Sequence, residues 1–244
     1  MNKVVVVTGG TRGIGEAISR EFAQKGYDIV INFVNSEDKA NNLKKELEEK
    51  YAIKVLPVKA DISNEEECKM LVEKSINEFG KIDVLVNNAG IVIDKEFDDR
   101  TIEDWKQTLD VNLIAPFVLT KLVGKEMLKQ KSGAIINISS TNGLNTYYPT
   151  SVDYDTSKSG LISLTYDSAV QFAPFVRVNA IAPGWVNTEM NKELPDDFVK
   201  DETERILVKR FAEPEEIAKV VTFLASEDAS FVNSTVIKVD GEWY

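Results

Sequence analysis

The chain has no histidine and a single cysteine, so two common sources of protein chemistry are scarce. Without histidine, no side chain has an ordinary pKa between 5 and 8, and proton transfer near neutral pH must use a group with a shifted pKa. One thiol, Cys68, cannot form a disulfide within the chain, so nothing in the composition requires an oxidising compartment. We therefore expect a cytoplasmic protein.

Long apolar runs and excess positive charge are also missing. No run approaches the roughly 20 apolar residues of a membrane helix. The opening run of four valines is followed by glycines, not by the longer apolar region of a signal peptide. The net charge of −11 argues against a nucleic-acid or anionic membrane surface. We expect neither partner.

What the chain does contain is a regular alternation of strand-like and helix-like segments over its 244 residues. This order predicts an α/β fold, a doubly wound parallel sheet of about seven strands with helices on both faces. With no linker or repeat in the way, residues 1–244 are predicted to form one domain. Pro57 weakens the third strand, and the helical stretch 101–130 is expected to break near Pro116. The charged insertion 187–210 is either a lid or a solvated surface helix.

A glycine-rich segment, TGGTRGIG (8–15), connects the first strand to the first helix. Glycines permit a tight turn and a close approach of the backbone to a ligand, and the free amides at the helix start suit a pyrophosphate. The spacing of Gly9, Gly13 and Gly15 is not the common G-x-G-x-x-G pattern. Its position between strand and helix still predicts a dinucleotide site.

The end of the second strand bears on the choice between NAD and NADP. An NAD site often has a carboxylate there for the adenosine ribose, whereas polar or basic groups suit the 2′-phosphate of NADP. The first acids, Glu37 and Asp38, come later, in the next predicted helix. Arg12 can add positive charge. We expect NADP(H) to be preferred, with NAD(H) possible; the polar or apolar residues at this strand end are Asn32, Val34, Asn35 and Ser36.

Tyr154 and Lys158 stand four residues apart in a predicted helix, so they share one face. Tyrosine has an ordinary pKa of about 10. A neighbouring ammonium stabilises the phenolate and lowers that pKa, so the pair can replace histidine as the acid–base group. Such a pair is common by chance, but Ser140 ends the fifth predicted strand, at the edge where open α/β sheets bind ligands.

Taken together, these segments resemble the short-chain dehydrogenase/reductase family, single-domain type, and within it the bacterial 3-oxoacyl-[acyl-carrier-protein] reductases. The resemblance covers residue 4 to about residue 240 and implies a Rossmann-type fold and an NADP-dependent oxidoreductase without a metal site. It rests on motifs in family order: TGGTRGIG, NNAG (87–90), DVNL (110–113), INISS (136–140), YDTSK (154–158) and NAIAPGWVNT (179–188).

The resemblance also implies residue roles. Tyr154 would donate a proton to a ketone or accept one from an alcohol, and Lys158 would lower its pKa and hold the nicotinamide ribose. Ser140, with Ser139 as its rival, would bind the substrate oxygen, and Asn112 would anchor a water that links Lys158 to solvent. Asn87 and Asn179 would brace the backbone. Further cofactor contacts would come from Gly9, Arg12, Gly13, Ile14, Gly15, Asn35, Asp61, Ile62, Asn88, Ala89, Gly90, Pro183, Gly184, Val186 and Thr188.

Departures from the family pattern leave the substrate open. Asn233-Ser234 and Gly241-Glu242 replace the usual Thr-Gly and Gly-Gly, and segment 169–179 is short and lacks the usual docking arginines. Lys129 and Lys131 remain as docking cations, although a −11 chain repels acidic acyl carrier protein. An acyl thioester and a free sugar, polyol or small ketone are therefore both candidates. Three aromatic residues either line the substrate pocket or only pack within the protein: Tyr147, Tyr148 and Trp185.

A non-catalytic sensor of NADP is a distant alternative. Such proteins commonly lose the tyrosine or the lysine, whereas this chain keeps both Tyr154 and Lys158. The family resemblance further implies a homotetramer built on the helices within 101–130 and 154–172.

Overall fold

The computed structural model describes residues 2–192 and 194–244, leaving aside the side chain of Met190. Its centre is a seven-stranded sheet in the order β3-β2-β1-β4-β5-β6-β7, with every neighbouring pair parallel. The predicted doubly wound sheet is confirmed. The strands are β1 (Val4–Val7), β2 (Asp28–Phe33), β3 (Val55–Lys59), β4 (Val84–Asn87), β5 (Gly133–Ile138), β6 (Val176–Pro183) and β7 (Val236–Val239).

Helices cover both faces of this sheet because successive strand residues point to opposite sides. Val5 and Val7 pack under α1, α2 and α8, whereas Val4 and Val6 pack under α3, α5 and α6. The helices are α1 (Gly13–Gln24), α2 (Glu37–Lys50), α3 (Glu65–Phe79), α4 (Ile102–Leu109), α5 (Ala115–Gln130), α6 (Val152–Phe172), α7 (Asp196–Arg205) and α8 (Pro214–Ala225).

Pro57 is tolerated because β3 is an edge strand that pairs only with β2. The stretch 101–130 is interrupted as expected, but by a π turn at Asp110–Ile114 that leads directly into α5, where Pro116 occupies the first turn. Helical bonding continues through this turn, because the Ala115 amide donates to the Asp110 carbonyl five residues earlier. β5 ends at Ile138, so Ser140 lies two residues beyond the strand rather than at its end.

The charged insertion 187–210 contains a short 3-10 turn, Glu189–Asn191, and helix α7; its residue 193 lies outside the described residues. Helix α7 is mostly exposed but buries Glu202. Ser234 and Glu242, which stand where the family commonly has glycine, have positive φ values of 57° and 59°. The chain thus keeps a left-handed backbone at both positions, at a cost of roughly 1–2 kcal/mol each.

Within the described residues, no helix combines the length and the apolar character needed to cross a membrane.

Candidate active site

Tyr154 and Lys158 occupy one face of α6, as their spacing predicts. Lys158 is 4% exposed, and its ammonium lies 5.5 Å from the centre of the Tyr154 ring. The ammonium donates a hydrogen bond of 2.9 Å to the carbonyl oxygen of Ile138, at the end of β5. This bond ties the helix to the carboxyl edge of the sheet.

The electrostatics of the pair differ from the sequence-based expectation. Burial raises the pKa of Tyr154 to about 12, with hydrogen bonding by Ser140 working in the opposite direction and the charge of Asp155 adding to the rise. Burial also lowers the pKa of Lys158 to about 8. Burial therefore outweighs the other influences on the Tyr154 pKa, and the lowering by Lys158 stays a prediction. Removal from water disfavours both charged forms, and that effect is the largest on each group.

Ser140 and Ser139 have separate partners, which distinguishes the two candidates. The Ser139 hydroxyl donates to the Lys158 carbonyl oxygen at 2.9 Å and so braces α6. The Ser140 hydroxyl accepts a hydrogen bond from the Asn142 backbone amide at 3.2 Å. Its hydrogen bonding also lowers the pKa of the Tyr154 phenol, against the effect of burial. Only Ser140 is directed towards the tyrosine hydroxyl.

Asn112 is fully buried in the π turn between α4 and α5. Its carboxamide accepts from the Ile91 amide at 2.8 Å, donates to the Ile91 carbonyl at 2.9 Å, and donates to the Ser157 hydroxyl at 3.1 Å. A Cβ added at Gly90 would lie 3.3 Å from both Asn112 Oδ1 and Lys158 Nζ. Asn112, Gly90 and Lys158 therefore share one corner of the site. Single π turns occur frequently at functional sites.

The glycine-rich segment forms a tight bend that only small residues allow. Gly13 has a φ of 52°, and a Cβ at Gly15 would lie 2.2 Å from the carbonyl oxygen of Gly9. The Asn88 side chain donates to the carbonyl of Thr8 at 2.8 Å and more weakly to that of Gly9. Arg12 precedes α1 and is exposed, while Ile14 packs against the core.

Asn32 braces this bend from β2. Its side-chain oxygen accepts from the Gly9 amide at 3.3 Å, and its nitrogen donates to the Ala60 carbonyl at 2.8 Å. Asn35 is exposed just beyond β2. Asp61 follows β3 and accepts from the Ser63 hydroxyl at 2.7 Å. Ile62, which follows Asp61, is buried, and Ala89, beyond the end of β4, is half-buried.

The residues after β6 approach the glycine-rich bend from the other side. A Cβ at Gly13 would lie 3.4 Å from the Thr188 methyl group. Pro183 closes β6, and Val186 forms an isolated bridge to Ala212. A Cβ at Gly184 would lie 2.7 Å from Asp240. The two halves of the predicted dinucleotide site are thus brought together.

Asn179 and Asn87 both brace the structure, with different partners. Asn179 bonds the backbone of Val232 and Thr235, as expected. Asn87 instead donates to the side chains of Thr120 and Asn137.

Two buried carboxylates beside Tyr154 were not identified from the sequence. Asp153 forms an ion pair with Arg100, whose side chain is 2% exposed. Asp155 accepts from Asn142 at 2.7 Å and from Ser151 at 3.0 Å. Their positions on either side of the tyrosine, Asp153 just before the motif YDTSK and Asp155 within it, are the only signal that the sequence offers.

A third buried carboxylate, Glu202, lies on α7 and bonds three aromatic side chains. It was also missed, because no spacing pattern marks it.

Comparison with known proteins agrees with this geometry. A family model described as enoyl-(acyl carrier protein) reductase matches residues 9–241. A protein named 3-oxoacyl-[acyl-carrier-protein] reductase FabG from Staphylococcus epidermidis is 37% identical over the whole of both chains. A protein of the same name from Aquifex aeolicus is 41% identical over 98% of this chain and 96% of its own. The chain belongs to the short-chain dehydrogenase/reductase family and is an oxidoreductase.

Solved structures give the same family. A Serratia marcescens short-chain dehydrogenase/reductase mutant superposes with a TM-score of 0.93 at 31% identity, over 98% of this chain and 96% of the other. An acetoin dehydrogenase, YohF, from Salmonella typhimurium has a TM-score of 0.90 at 32% identity, over 100% and 96%.

Family membership implies a nicotinamide cofactor, and the residues present fit one. Lysine carries three donor hydrogens. Within the described part of the chain, the buried ammonium of Lys158 makes one hydrogen bond, to Ile138, so two donors are left for ribose hydroxyls. At the other end, the bend at Gly13 and the start of α1 present backbone amides suited to a pyrophosphate.

Proposed function

We propose that this chain reduces a ketone to a secondary alcohol with NADP(H), and that Tyr154 is the proton donor. The observation that carries the proposal is geometric: Tyr154, whose pKa burial raises to about 12, shares one face of α6 with the buried Lys158, whose ammonium lies 5.5 Å from the tyrosine ring centre, and its phenol is within the hydrogen-bonding influence of Ser140. A phenol with this pKa is protonated at neutral pH and can give its proton to an oxygen that becomes negative.

The cofactor, when bound, supplies the hydride. Ser140 binds the ketone oxygen through its hydroxyl and orients it towards the Tyr154 phenol, which delivers the proton to that oxygen. Lys158 holds the ribose with its two remaining donors, and its charge favours the phenolate that the transfer leaves behind. Asn112 fixes the Ile91 backbone at this corner of the site, and a water on Asn112 would return a proton through Lys158.

The remaining cofactor contacts are proposed by segment. The bend from Gly9 to Gly15, with Ile14, would hold the pyrophosphate. Asp61 and Ile62 would contact the adenine, and segment 88–90 the adenosine side. Segment 183–188, through its residues Pro183, Gly184, Val186 and Thr188, would flank the nicotinamide.

NADP is proposed over NAD because two cations, Arg12 and Lys39, both lie near Glu189, at the edge of the expected cofactor site. Lys39 forms an ion pair with Glu189 at 3.2 Å, and the pKa of Glu189 is lowered by Lys39 first and by Arg12 among the weaker causes. Arg12 and Lys39 therefore lie in one region around Glu189. A dianionic phosphate would be stabilised between the two cations.

The substrate proposed first is a 3-oxoacyl thioester, because relatives at 37% and 41% identity carry that name. A small free ketone is the second candidate, favoured by the similarity to the acetoin dehydrogenase. Of the two expected docking cations, Lys129 is already paired, and the single arginine of segment 169–179, Arg177, is used within the chain. Arg177 donates to the carbonyls of Leu224 and Ser226 at 2.7 and 2.9 Å, and Lys129 pairs with Glu126 at 2.6 Å. Lys131 is exposed.

The deciding experiment follows NADPH oxidation with acetoacetyl thioesters and, in parallel, with a panel of small ketones, diketones and keto-sugars. Turnover of the thioester, with little turnover of the panel, supports the acyl reductase. Turnover of a small ketone with none of the thioester would refute the acyl substrate and retain the ketone reductase. NADPH binding without turnover of any substrate would favour the non-catalytic sensor.

We also propose that residues 1–244 form one domain that assembles as a homotetramer in the cytoplasm. Exposed apolar side chains on α4, α5 and α6 support assembly: Ile102, Phe117 and Val170 are 64%, 47% and 79% exposed. Light scattering at micromolar concentration tests this, and a monomer would contradict it.

A further inference from the structure

Glu202 is a buried carboxylate that three aromatic donors share. The residue is 3% exposed, and its Oε2 accepts hydrogen bonds of 2.8 Å from the Tyr148 hydroxyl, the Trp185 indole and the Trp243 indole. Its Oε1 bonds Arg205 at 3.2 Å. Burying a carboxylate is costly unless it is paired and hydrogen-bonded, so this site is well satisfied.

The three donors come from separate parts of the chain. Tyr148 belongs to the loop after β5, Trp185 to the loop after β6, and Trp243 to the C-terminal segment. Glu202 therefore fixes α7 against all three. The C-terminal segment is held further by backbone bonds of Leu207 to Glu242 at 2.9 Å and of Tyr244 to Arg205 at 3.2 Å.

Trp185 is also the centre of an aromatic cluster that links α7 to the sheet edge. Its ring is 5.9 Å from Tyr148 and 5.5 Å from Phe198 in edge-to-face contacts, and it stacks on Phe211 at 5.5 Å. Phe198 lies on α7. A shift of this helix would therefore also move the Trp185 ring, which directly follows Gly184 at the carboxyl edge of the sheet.

The same network reaches Ser140, beside the proposed proton donor Tyr154. The Tyr148 amide donates to Asp155 at 3.3 Å, and Asp155 also accepts from Asn142, whose amide donates to Ser140. The chain of contacts from Glu202 therefore ends at the hydroxyl that binds the substrate oxygen. No link in it involves the glycine-rich bend that would hold the cofactor.

We propose that Glu202 is a positioning residue for the ketone, and this inference rests on the proposed function. By gathering Tyr148, Trp185 and Trp243 on one carboxylate, it holds α7 as a lid over the carboxyl ends of β5 and β6. It sets the shape of the substrate pocket without touching substrate or cofactor. Substrate affinity, rather than cofactor affinity or the chemical step, is what the network controls.

The test is Glu202→Gln, which keeps the size of the side chain but removes the charge that strengthens all three bonds. We expect KM for the ketone to rise about tenfold, kcat to change less than about threefold, and the Kd for NADPH to stay constant. Tyr148→Phe and Trp243→Phe each remove one donor and should raise KM in the same direction by less.

Glu204→Gln is the matched control, because Glu204 lies on the same helix, its side chain is 71% exposed, and it pairs only with Lys209 within the described residues. It should leave KM unchanged. An unchanged KM in Glu202→Gln would overturn the proposal. So would a parallel loss of stability, NADPH binding and turnover, since that pattern indicates a general structural role.

A readout without substrate separates this inference from the proposed function. Trypsin should cut Glu202→Gln at Lys200 and Arg205, on α7, at least about fivefold faster than the parent protein, because the lid opens more often. In a Trp105→Phe background, the emission of Trp185 and Trp243 should also shift. If no ketone is reduced but both changes occur, the network stands and the proposed activity fails; if neither change occurs, the lid is not held by Glu202.

Discussion

The ammonium of Lys158 lies 5.5 Å from the centre of the Tyr154 ring, yet its hydrogen bond goes to the Ile138 carbonyl at 2.9 Å. The two groups are close enough to interact but are not bonded to each other. Burial sets both protonation equilibria, towards a neutral phenol and towards an ammonium that loses its proton easily. The pair is prepared to donate a proton rather than to accept one.

The pH profile follows from these two pKa values. The Lys158 pKa is about 8, lowered by burial, so the ammonium is charged below that pH and neutral above it. The Tyr154 pKa of about 12 keeps the phenol protonated throughout this window. We expect kcat/KM for ketone reduction to be level at pH 6–7 and to fall as pH rises through about 8. A profile that is level up to pH 10 would contradict the role of Lys158.

Stability should respond to pH through the same groups. Between the lowered pKa of about 8 and the ordinary value of 10.5, the unfolded chain holds the Lys158 proton that the folded chain has released. The contribution of Lys158 to stability therefore rises with pH in that window. For Tyr154 the folded chain keeps the proton between 10 and about 12, so its contribution falls as pH rises there. Urea unfolding between pH 7 and 11 measures both slopes.

Tyr154→Phe removes the proton donor and retains the ring. We expect kcat for ketone reduction to fall by roughly 10²–10⁴-fold, which is the usual contribution of a positioned acid. The Kd for NADPH should change little, since Lys158 keeps its bond to Ile138. Fluorescence titration with NADPH and steady-state kinetics measure the two effects. Turnover close to that of the parent protein would remove Tyr154 from the mechanism.

The neighbouring serines offer a matched pair of variants. Ser140→Ala removes the hydroxyl that acts on the Tyr154 phenol, and we expect kcat/KM to fall by about 10²-fold. Ser139→Ala removes a 2.9 Å bond to the Lys158 carbonyl and should cost about 1 kcal/mol of unfolding free energy with turnover within a few fold. Kinetics and urea unfolding of both variants test the assignment, and the reverse pattern would make Ser139 the substrate-binding residue.

Cofactor preference should depend on Arg12. Its exposed guanidinium precedes α1, and Arg12→Gln removes the charge without disturbing the bend. We expect the Kd for NADPH to rise about tenfold and that for NADH to stay nearly constant, because only NADPH carries the extra phosphate. Arg20→Gln is the control, since Arg20 pairs with Glu16 and Glu46. Equal weakening of both cofactors by Arg12→Gln would place the arginine on the pyrophosphate instead.

Local patterns were sufficient to predict most of the fold. The valine run of β1 and the glycines after it identify a buried strand and a bend without reference to the rest of the chain. Pro57 lowered the expectation for β3, but the edge position that makes it acceptable depends on the strand order. Likewise, Pro116 indicated a break in the helix, whereas no local pattern indicated the π turn, in which Asn112 bonds the distant Ile91.

The parts that were not predicted depend on contacts between distant residues. Glu202 bonds residues 17, 41 and 54 positions away, and no sequence periodicity brings these together. The burial of Tyr154, which raises its pKa, was not anticipated because the helix spacing gives the distance to Lys158 but not the depth of burial. Desolvation is a property of the whole surrounding structure, and here it is the largest cause of the raised tyrosine pKa.

The π turn at Asp110–Ile114 makes the site sensitive to chain length as well as to side-chain identity. Removing one residue from it would restore a regular helix, and each residue of a regular helix turns by about 100°. The amide of Asn112 would then leave Ile91, while the sheet and both hydrophobic layers could remain. A single-codon deletion could in this way convert a working catalyst into a folded protein that still carries its tyrosine and lysine.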